Sequence, residues 1–226
     1  MASSTGVCNI VVFGEPSVGK TCFVDQFCYG KSFVVYDPDN SMSSQKMIIG
    51  DQPYHLTLMD LSTSFLKPEQ ESEYNGWAVK MLAEAEGVVL LYDVTSLESF
   101  DYITNQAYKF LRSCRRSECK DEEGTTGEKP TSFGCVLAGN KLDLVESGVR
   151  VGAVDQSLAE EWAQTQGMRS IGIDSLGKEG PESALKLLVN NTHMIERLEG
   201  RSDGRMKTRR KRKNQEDQFD TGSEKP

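Results

Sequence analysis

The sequence of 226 residues lacks the features of several protein classes. Its 20 glycines and 7 prolines are too few for a collagen-like or wholly disordered chain. The longest apolar run, at 87–91, is far shorter than the roughly 20 residues that a membrane-spanning helix needs. The first residues have neither the basic start nor the apolar core of a signal peptide. We therefore expect a soluble, intracellular protein.

Patterns that bind metals or form disulfides are also missing. The six cysteines are scattered without a Cys-x-x-Cys pair, and the two histidines are His55 and His193. In an intracellular chain of this size, scattered cysteines are usually reduced thiols. The sequence therefore predicts free cysteines and argues against a zinc or histidine-rich metal site.

Charge is distributed unevenly along the chain. The net charge is −8, yet residues 201–213 contain eight basic residues and one acidic residue. The last thirteen residues contain four acidic residues and one lysine, so the first 200 residues carry a net charge of −12. Because an acidic body binds nucleic acid poorly, we predict no sequence-specific nucleic-acid binding. Any binding of polyanions should be confined to the basic segment.

Apolar runs typical of buried strands alternate with segments of helical spacing. Such alternation predicts an α/β fold with a mainly parallel sheet that helices cover on both faces. The expected strands are 8–13, 54–59, 87–93, 133–139 and 169–174, and the expected helices are 20–29, 76–85, 96–116, 154–166 and 181–198. The helix that opens at Ser96 should bury Phe100, Ile103, Tyr108 and Leu111, and the next should place Leu158, Trp162 and Ala163 near one face.

Three segments stand outside this alternation. Residues 1–6 form an N-terminal extension to a predicted domain at 7–198. Within that domain, the polar and acidic segment 117–131 predicts a flexible loop. Residues 199–226 have almost no apolar content and predict a disordered tail, first basic and then acidic.

The first chemical motif directly follows the strand predicted at 8–13. The segment Gly14–Thr21 reads GEPSVGKT and matches G-x-x-x-x-G-K-[ST] before a predicted helix. A glycine-rich turn can curl its backbone N–H groups around phosphate, and the helix adds the positive end of its dipole. Lys20 supplies charge to the outer phosphates, and the Thr21 hydroxyl can ligate Mg²⁺. This loop alone does not distinguish ATP from GTP.

The second motif favours guanine over adenine. The segment Asn140–Asp143 reads NKLD and follows the strand predicted at 133–139, at the edge where such sheets bind ligands. The Asp143 carboxylate can accept hydrogen bonds from both N1–H and the 2-amino group of guanine, a donor pair that adenine lacks. The aliphatic stem of Lys141 can cover the base, and the Asn140 amide can tie this segment to the phosphate loop.

These two motifs, together with IDSLG at 173–177, resemble the ordered nucleotide motifs of the Ras-like small GTPases. The resemblance runs from about Cys8 to Leu198, and YDP at 36–38 is similar to the start of the family's effector loop. It implies the P-loop NTPase fold, with a six-stranded, mostly parallel sheet and five helices. It also implies a signalling protein that binds GTP or GDP with Mg²⁺ and hydrolyses GTP.

The resemblance further implies roles for particular residues. Asp60 would reach Mg²⁺ through water, and Thr21 would ligate it directly. Lys20 would contact the outer two phosphates, and Ser175 and Leu176 would form the loop whose backbone contacts the guanine oxygen. The implied nucleotide-binding set is Gly14, Ser17, Val18, Gly19, Lys20, Thr21, Cys22, Asn140, Lys141, Asp143, Ser175 and Leu176.

The chain departs from the Ras pattern at positions that sense and cleave the terminal phosphate. Asp39 stands where the family has the Thr that completes the Mg²⁺ shell. Thr63 and Ser64 replace the Gly that contacts the terminal phosphate and the Gln that orients the attacking water, while Pro16 and Ser17 replace two glycines. With Ser64 in the catalytic position, we expect slow hydrolysis. The alternative is a pseudo-GTPase interaction module whose nucleotide is structural.

Partners and location are predicted only in outline. The resemblance implies that effectors and regulators bind through residues 32–46 and 60–78. No cysteine follows Cys135, so prenylation is not expected. The basic run 205–213 suits an anionic membrane surface or a nuclear import factor, or it simply solubilises the tail. The expected location is cytoplasmic, with a peripheral membrane or nuclear pool as further possibilities.

Overall fold

The structure is a computed structural model that describes residues 6–31, 42–49, 52–66, 74–120, 126–130 and 133–190. Its strands are β1 (Gly6–Gly14), β2 (Met42–Ile49), β3 (Gln52–Ser62), β4 (Gly87–Asp93), β5 (Arg116–Lys120), β6 (Thr126–Pro130), β7 (Gly134–Asn140) and β8 (Arg169–Gly172). Its helices are α1 (Lys20–Tyr29), α2 (Tyr74–Glu84), α3 (Leu97–Tyr102), α4 (Tyr108–Cys114), α5 (Leu142–Glu146), α6 (Gln156–Thr165) and α7 (Glu179–Val189). A 3₁₀ helix spans Thr63–Leu66, and a π-helical turn at Ile103–Ala107 joins α3 to α4.

The main sheet has six strands in the order β2-β3-β1-β4-β7-β8. The β2–β3 pair is antiparallel and the other neighbours are parallel, which confirms the predicted fold class. Gly14 at the end of β1 pairs with Ser62 in β3 and Leu91 in β4, and Asp93 pairs with Asn140. The carboxyl ends of β1, β3, β4 and β7 therefore meet at one edge, where open α/β sheets bind their ligands.

The core lies on both faces of this sheet. In β1, Ile10 and Val12 join a buried cluster with residues of α1 and α7, while Val11 and Phe13 join one with residues of α2, α3, α4 and α6. The central strands β4 and β7 are buried at every position, as expected for parallel strands covered on both sides. The prediction of a sheet between two helical layers is confirmed.

The helical segment after β4 begins and packs as the sequence predicts. Ser96 is the N-cap of α3, because its hydroxyl accepts a hydrogen bond from the Ser99 N–H at 3.2 Å. The π-helical turn does not interrupt the buried face that runs from α3 into α4. The four side chains predicted to be buried are buried: Phe100, Ile103, Tyr108 and Leu111.

Helix α6 differs from its prediction at one position. Leu158 is 45% exposed, and the adjacent Ala159 is buried on the same side as Ala163. Trp162 is partly buried and meets the Tyr108 ring edge-on, with ring centroids 5.1 Å apart. The two alanines face the sheet, and their small side chains allow the helix to approach it closely.

Two strand assignments correct the sequence analysis. The segment 117–131, predicted as a flexible loop throughout, contains most of β5 and all of β6, which pair antiparallel as a separate two-stranded sheet. This pairing needs only backbone hydrogen bonds, so a polar sequence gives no apolar pattern to reveal it. Strand β2 was also missed, because it is an edge strand in which the exposed polar residues 44–46 separate the buried Ser43 and Met47.

Several predictions lie outside the described residues: Asp39, most of the 32–46 segment, the last part of the final predicted helix and the tail at 199–226. No helix among the described residues is long and apolar enough to cross a bilayer. The cysteine side chains that the structure describes are free thiols: Cys8, Cys22, Cys28, Cys114 and Cys135.

Candidate functional site

The loop between β1 and α1 turns tightly at two left-handed residues. Ser17 has φ 67° and Gly19 has φ 100°. A Cβ atom at Gly19 would collide with the Asn140 side-chain amide, and one at Gly14 would collide with the Leu91 carbonyl oxygen. Left-handed residues in a tight turn can direct successive backbone N–H groups toward one side, where they bind anions. The loop therefore has the shape of a phosphate cradle.

Lys20 is held at this loop by backbone and carboxylate oxygens. Its Nζ donates to the Glu15 carbonyl at 2.8 Å and lies 4.0 Å from an Asp60 oxygen. Burial lowers the pKa of Lys20, and the nearby Asp60 and Glu15 charges offset that effect only in part. Because a buried ammonium gains most from an added negative charge, an anionic ligand at the loop would favour the charged form of Lys20.

Thr21 and Asp60 meet at the start of α1. The Thr21 hydroxyl donates to Asp60 Oδ2 at 2.5 Å, which brings together the two residues predicted to serve Mg²⁺. Burial, and then the negative charge of Asp60, raise the pKa of the nearby Asp25 carboxyl. A hydroxyl beside a carboxylate is the hard oxygen donor set that Mg²⁺ prefers. The residues present therefore fit this ion.

Asn140 joins the phosphate loop to the base-recognition segments. Its side-chain Nδ2 donates to the Val18 carbonyl at 2.8 Å, and its Oδ1 accepts the Ser175 N–H at 2.9 Å. Asn140 is only 2% exposed, so both bonds are shielded from water. The predicted tie from Asn140 to the phosphate loop is confirmed, and the bond to Ser175 extends it to a third loop.

Lys141 is fixed by a partner that the sequence analysis missed. Its backbone is left-handed, with φ 68°, and its Nζ donates to Asp93 Oδ2 at 2.6 Å. Burial raises the pKa of Asp93, but hydrogen bonds from Lys141 and Thr95 outweigh burial and lower it overall. One feature of the sequence could have indicated this partner: Asp93 is an aspartate that ends the otherwise apolar strand β4 at the ligand-binding edge.

Two further residues predicted to recognise the base are Asp143 and Leu176. Asp143 is in the first turn of α5, half-buried, and its carboxylate has no partner among the described residues. It is therefore available to accept hydrogen bonds from a base. The predicted Leu176 N–H already donates to Asp174 at 2.7 Å, so a guanine oxygen would have to share this donor or displace the Asp174 carboxylate.

In the 3₁₀ helix that follows β3, Thr63 is buried and the other three residues are partly exposed. Thr63 is 0% exposed. Ser64 is partly exposed, and its N–H donates to the Ser62 hydroxyl at 3.3 Å. A serine side chain reaches one carbon beyond the backbone. Ser64 therefore has no group that extends toward the phosphate loop as a glutamine would.

Phe65 anchors this same segment on the hydrophobic core. Its ring stacks on Phe13 of β1 at 6.2 Å between centroids and meets Phe110 of α4 edge-on at 5.5 Å. Leu66 packs against the same buried cluster. Aromatic pairs at these separations are favourable beyond the area they bury. The 3₁₀ helix at Thr63–Leu66 is thus held by packing from two elements.

Sequence comparison agrees with this arrangement. A profile of the Ras family matches residues 9–193. The chain belongs to the Ras family. Members of the Ras family bind GTP and GDP with Mg²⁺ in general, and they are GTPases.

Individual Ras-family proteins are related to the chain at low identity. It is 29% identical to the GTPase RhebL1 of Mus musculus over 155 residues, which cover 68% of the chain and 73% of the relative. The GTP-binding protein Rheb of Homo sapiens gives the same identity and coverage. The Ras-related protein Rab7 of Cenchrus ciliaris is 25% identical over 187 residues, 81% of each chain.

Proposed function

We propose that this Ras-family protein binds guanine nucleotide with Mg²⁺ and acts in signal transduction as a slow GTPase. The observation that carries the proposal is the pair of Asn140 hydrogen bonds, to the Val18 carbonyl at 2.8 Å and from the Ser175 N–H at 2.9 Å. They hold the phosphate loop and the loop at 173–177 against the carboxyl end of β7, which supports a common binding site for the two motifs. The purified protein is therefore expected to retain GDP or GTP, measured by chromatography of the nucleotide released on denaturation.

Different residues of this site would contact different parts of the nucleotide. The backbone at 17–22 and the Lys20 ammonium would hold the phosphates, and Thr21 with Asp60 would hold Mg²⁺. Lys141 would cover the base, and the Asp143 carboxylate, which has no partner among the described residues, would accept the two guanine donors. The bound Mg²⁺ would supply charge neutralisation at the phosphates.

We infer that hydrolysis is slow because neither Thr63 nor Ser64, at the positions that the Ras pattern fills with Gly and Gln, is suited to orient the attacking water. In Ras-type phosphoryl transfer, a glutamine orients that water. Here Thr63 is buried and Ser64 is short. Single-turnover hydrolysis of bound GTP tests this inference, with a Ras protein that carries the glutamine as the reference. A rate at least tenfold below the reference is expected, and an equal or faster rate contradicts the inference.

A second candidate function is an interaction module with a structural nucleotide. The packing of Phe65 between Phe13 and Phe110 favours this second function. In a switch, the segment after Asp60 would change conformation when the terminal phosphate is present, and here that segment is packed on the core. Partner capture with GDP-loaded protein and with protein loaded with the slowly hydrolysed analogue GTPγS separates the two functions. Equal capture supports the module, and preferential capture by one form supports a switch through residues 32–46 and 60–78.

We further propose that the basic run 205–213 attaches the protein reversibly to an anionic membrane or binds an import factor. Basic residues near an anionic bilayer contribute about 1 kcal/mol each, and salt weakens this attraction. Microscopy of the tagged protein with and without residues 205–213 separates membrane, nuclear and cytoplasmic locations. An unchanged distribution leaves the run as a solubilising segment, and sedimentation with anionic or neutral vesicles tests the membrane alternative directly.

A further inference from the structure

Asp93 and Lys141 come from neighbouring strand ends at the ligand-binding edge. Asp93 ends β4 and pairs across the sheet with Asn140, the residue before Lys141. The Val94 N–H donates to the Asn140 carbonyl at 3.0 Å, so the two strand ends are also joined beyond the ladder. This register brings Asp93 Oδ2 within 2.6 Å of Lys141 Nζ. The contact therefore follows from the sheet itself.

Residues other than Lys141 also hold Asp93 in position. Its Oδ1 accepts the Thr95 N–H at 2.8 Å and the Thr95 hydroxyl at 2.7 Å. The backbone of Asp93 is braced by Ser99, whose hydroxyl accepts the Asp93 N–H at 3.0 Å. Asp93 is 7% exposed. With one oxygen and the backbone engaged, the second oxygen is directed at Lys141.

Lys141 is constrained at both ends. Its left-handed backbone, φ 68°, is uncommon outside glycine and persists where the surrounding structure determines it. Its ammonium is held by Asp93, and the side chain remains 27% exposed between these two anchors. The aliphatic stem is the part of the side chain that spans from one anchor to the other.

We propose that Asp93 is a positioning residue for nucleotide binding, which orders Lys141 so that its stem covers the purine base. This inference rests on the proposed function. A lysine side chain has four rotatable bonds, and ordering it in the free protein removes that entropy cost from ligand binding. The contact is with the face of the base. Asp93 therefore acts equally on GDP and GTP, and equally on guanine and hypoxanthine, which lacks the 2-amino group.

The test uses Asp93→Asn in the full chain. The dissociation constants of GDP, GTPγS and inosine diphosphate are measured by calorimetry on nucleotide-free protein with Mg²⁺. A bond between charged groups is lost, so all three constants are expected to rise about tenfold. An unchanged set of constants, or a changed ratio of GDP to inosine diphosphate affinity, overturns the proposal.

A double-mutant cycle shows whether Asp93 acts through the lysine. Lys141→Met keeps a long apolar stem but removes the ammonium. Asp93→Asn is expected to add no further loss in the Lys141→Met background, because the bond is already absent. Additive losses would mean that Asp93 acts independently of Lys141, and they overturn the proposal.

Asp155 provides a matched control. Its Oδ1 accepts the N–H of Ser157 at 2.8 Å and the Ser157 hydroxyl at 2.7 Å, the same local pattern as Asp93 with Thr95, and no lysine contact is described for it. Asp155→Asn is expected to leave all three dissociation constants within twofold of wild type. A tenfold rise in this control would attribute the Asp93 effect to the local turn and overturn the proposal.

A milder variant covers the case in which Asp93→Asn does not fold. Thr95→Val removes the hydroxyl that fixes Asp93 Oδ1 and leaves the carboxylate in place. It is expected to raise all three constants about threefold, and no change in them overturns the proposal. If wild-type protein binds none of the three nucleotides, the proposed function fails, which is a different result from failure of the positioning role alone.

Discussion

The side chain of Asn140 accepts the backbone N–H of Ser175 at 2.9 Å while it donates to the Val18 carbonyl at 2.8 Å. One buried amide thus connects three loops that lie far apart in the sequence. Because an amide has both a donor and an acceptor end, it can join a carbonyl to an N–H in a way that a carboxylate or an ammonium cannot. These two hydrogen bonds hold the phosphate loop and the loop at 173–177 against the carboxyl end of β7.

Asn140→Ala is expected to lower both stability and affinity. It leaves the Val18 carbonyl and the Ser175 N–H without their partner, which costs about 2–3 kcal/mol in the free energy of unfolding measured by urea titration. The loss of loop alignment should weaken GDP binding at least tenfold. The control is Asn105→Ala, at an exposed helical position. A GDP dissociation constant within twofold of wild type in Asn140→Ala would contradict this role.

Restoring only the missing glutamine should not restore hydrolysis. A threonine restricts the backbone at position 63 more than a glycine would, and Ser64→Gln alone leaves that restriction in place. Single-turnover hydrolysis is expected to change less than threefold in Ser64→Gln and to rise at least tenfold in Thr63→Gly combined with Ser64→Gln. Equal rates in the two variants would show that the backbone at position 63 does not limit the reaction.

Phe65 should determine how tightly the segment after Asp60 is held. Phe65→Ala removes the ring contacts with Phe13 and Phe110 and is expected to lower the free energy of unfolding by about 2 kcal/mol. Hydrogen exchange at 60–66 should become faster than in wild type, with little change in β4 and β7. If exchange at 60–66 stays as slow as in wild type, the packing of Phe65 is not what fixes this segment.

The Asp93 bond should give a defined pH dependence. Its hydrogen bonds to Lys141 and Thr95 lower the pKa of Asp93 despite burial. A depressed carboxyl pKa contributes stability above the unfolded value of about 3.9, and this contribution disappears as pH falls through the folded value. The stability difference between wild type and Asp93→Asn should therefore be constant from pH 7 to 5 and shrink below about pH 4. Urea unfolding at several pH values measures this stability difference. A difference that grows on acidification would contradict the expected pH dependence.

The sequence predicts the fold and the two nucleotide motifs because both depend on local pattern. The apolar run at 87–93 and the helix at 20–29 match β4 and α1 in their bounds, since buried strands and a helix after a glycine loop leave clear signals. The Asn140 tie was predicted because Asn140 follows a predicted strand at the same sheet edge as the phosphate loop, where its amide can bond to that loop.

Other features depend on contacts between distant residues and leave weak local signals. Nothing in the motif at 140–143 indicates that Asp93, 48 residues earlier, holds Lys141. The burial of Thr63 and the stacking of Phe65 follow from the packing of β1 and α4, which a sequence pattern does not specify. The β5–β6 pair was missed for a different reason, because its polar residues carry no strand periodicity.

Calorimetric titration of nucleotide-free protein with GDP and with ADP, in the presence of Mg²⁺, measures whether the site selects guanine. Tight GDP binding is expected, with ADP binding weaker by about 1,000-fold or more, because a site built to bond two donors rejects a base that lacks them. Asp143→Ala should remove most of that preference while ADP binding stays weak. Uptake of neither GDP nor GTP, or equal affinity for GDP and ADP, would contradict the account.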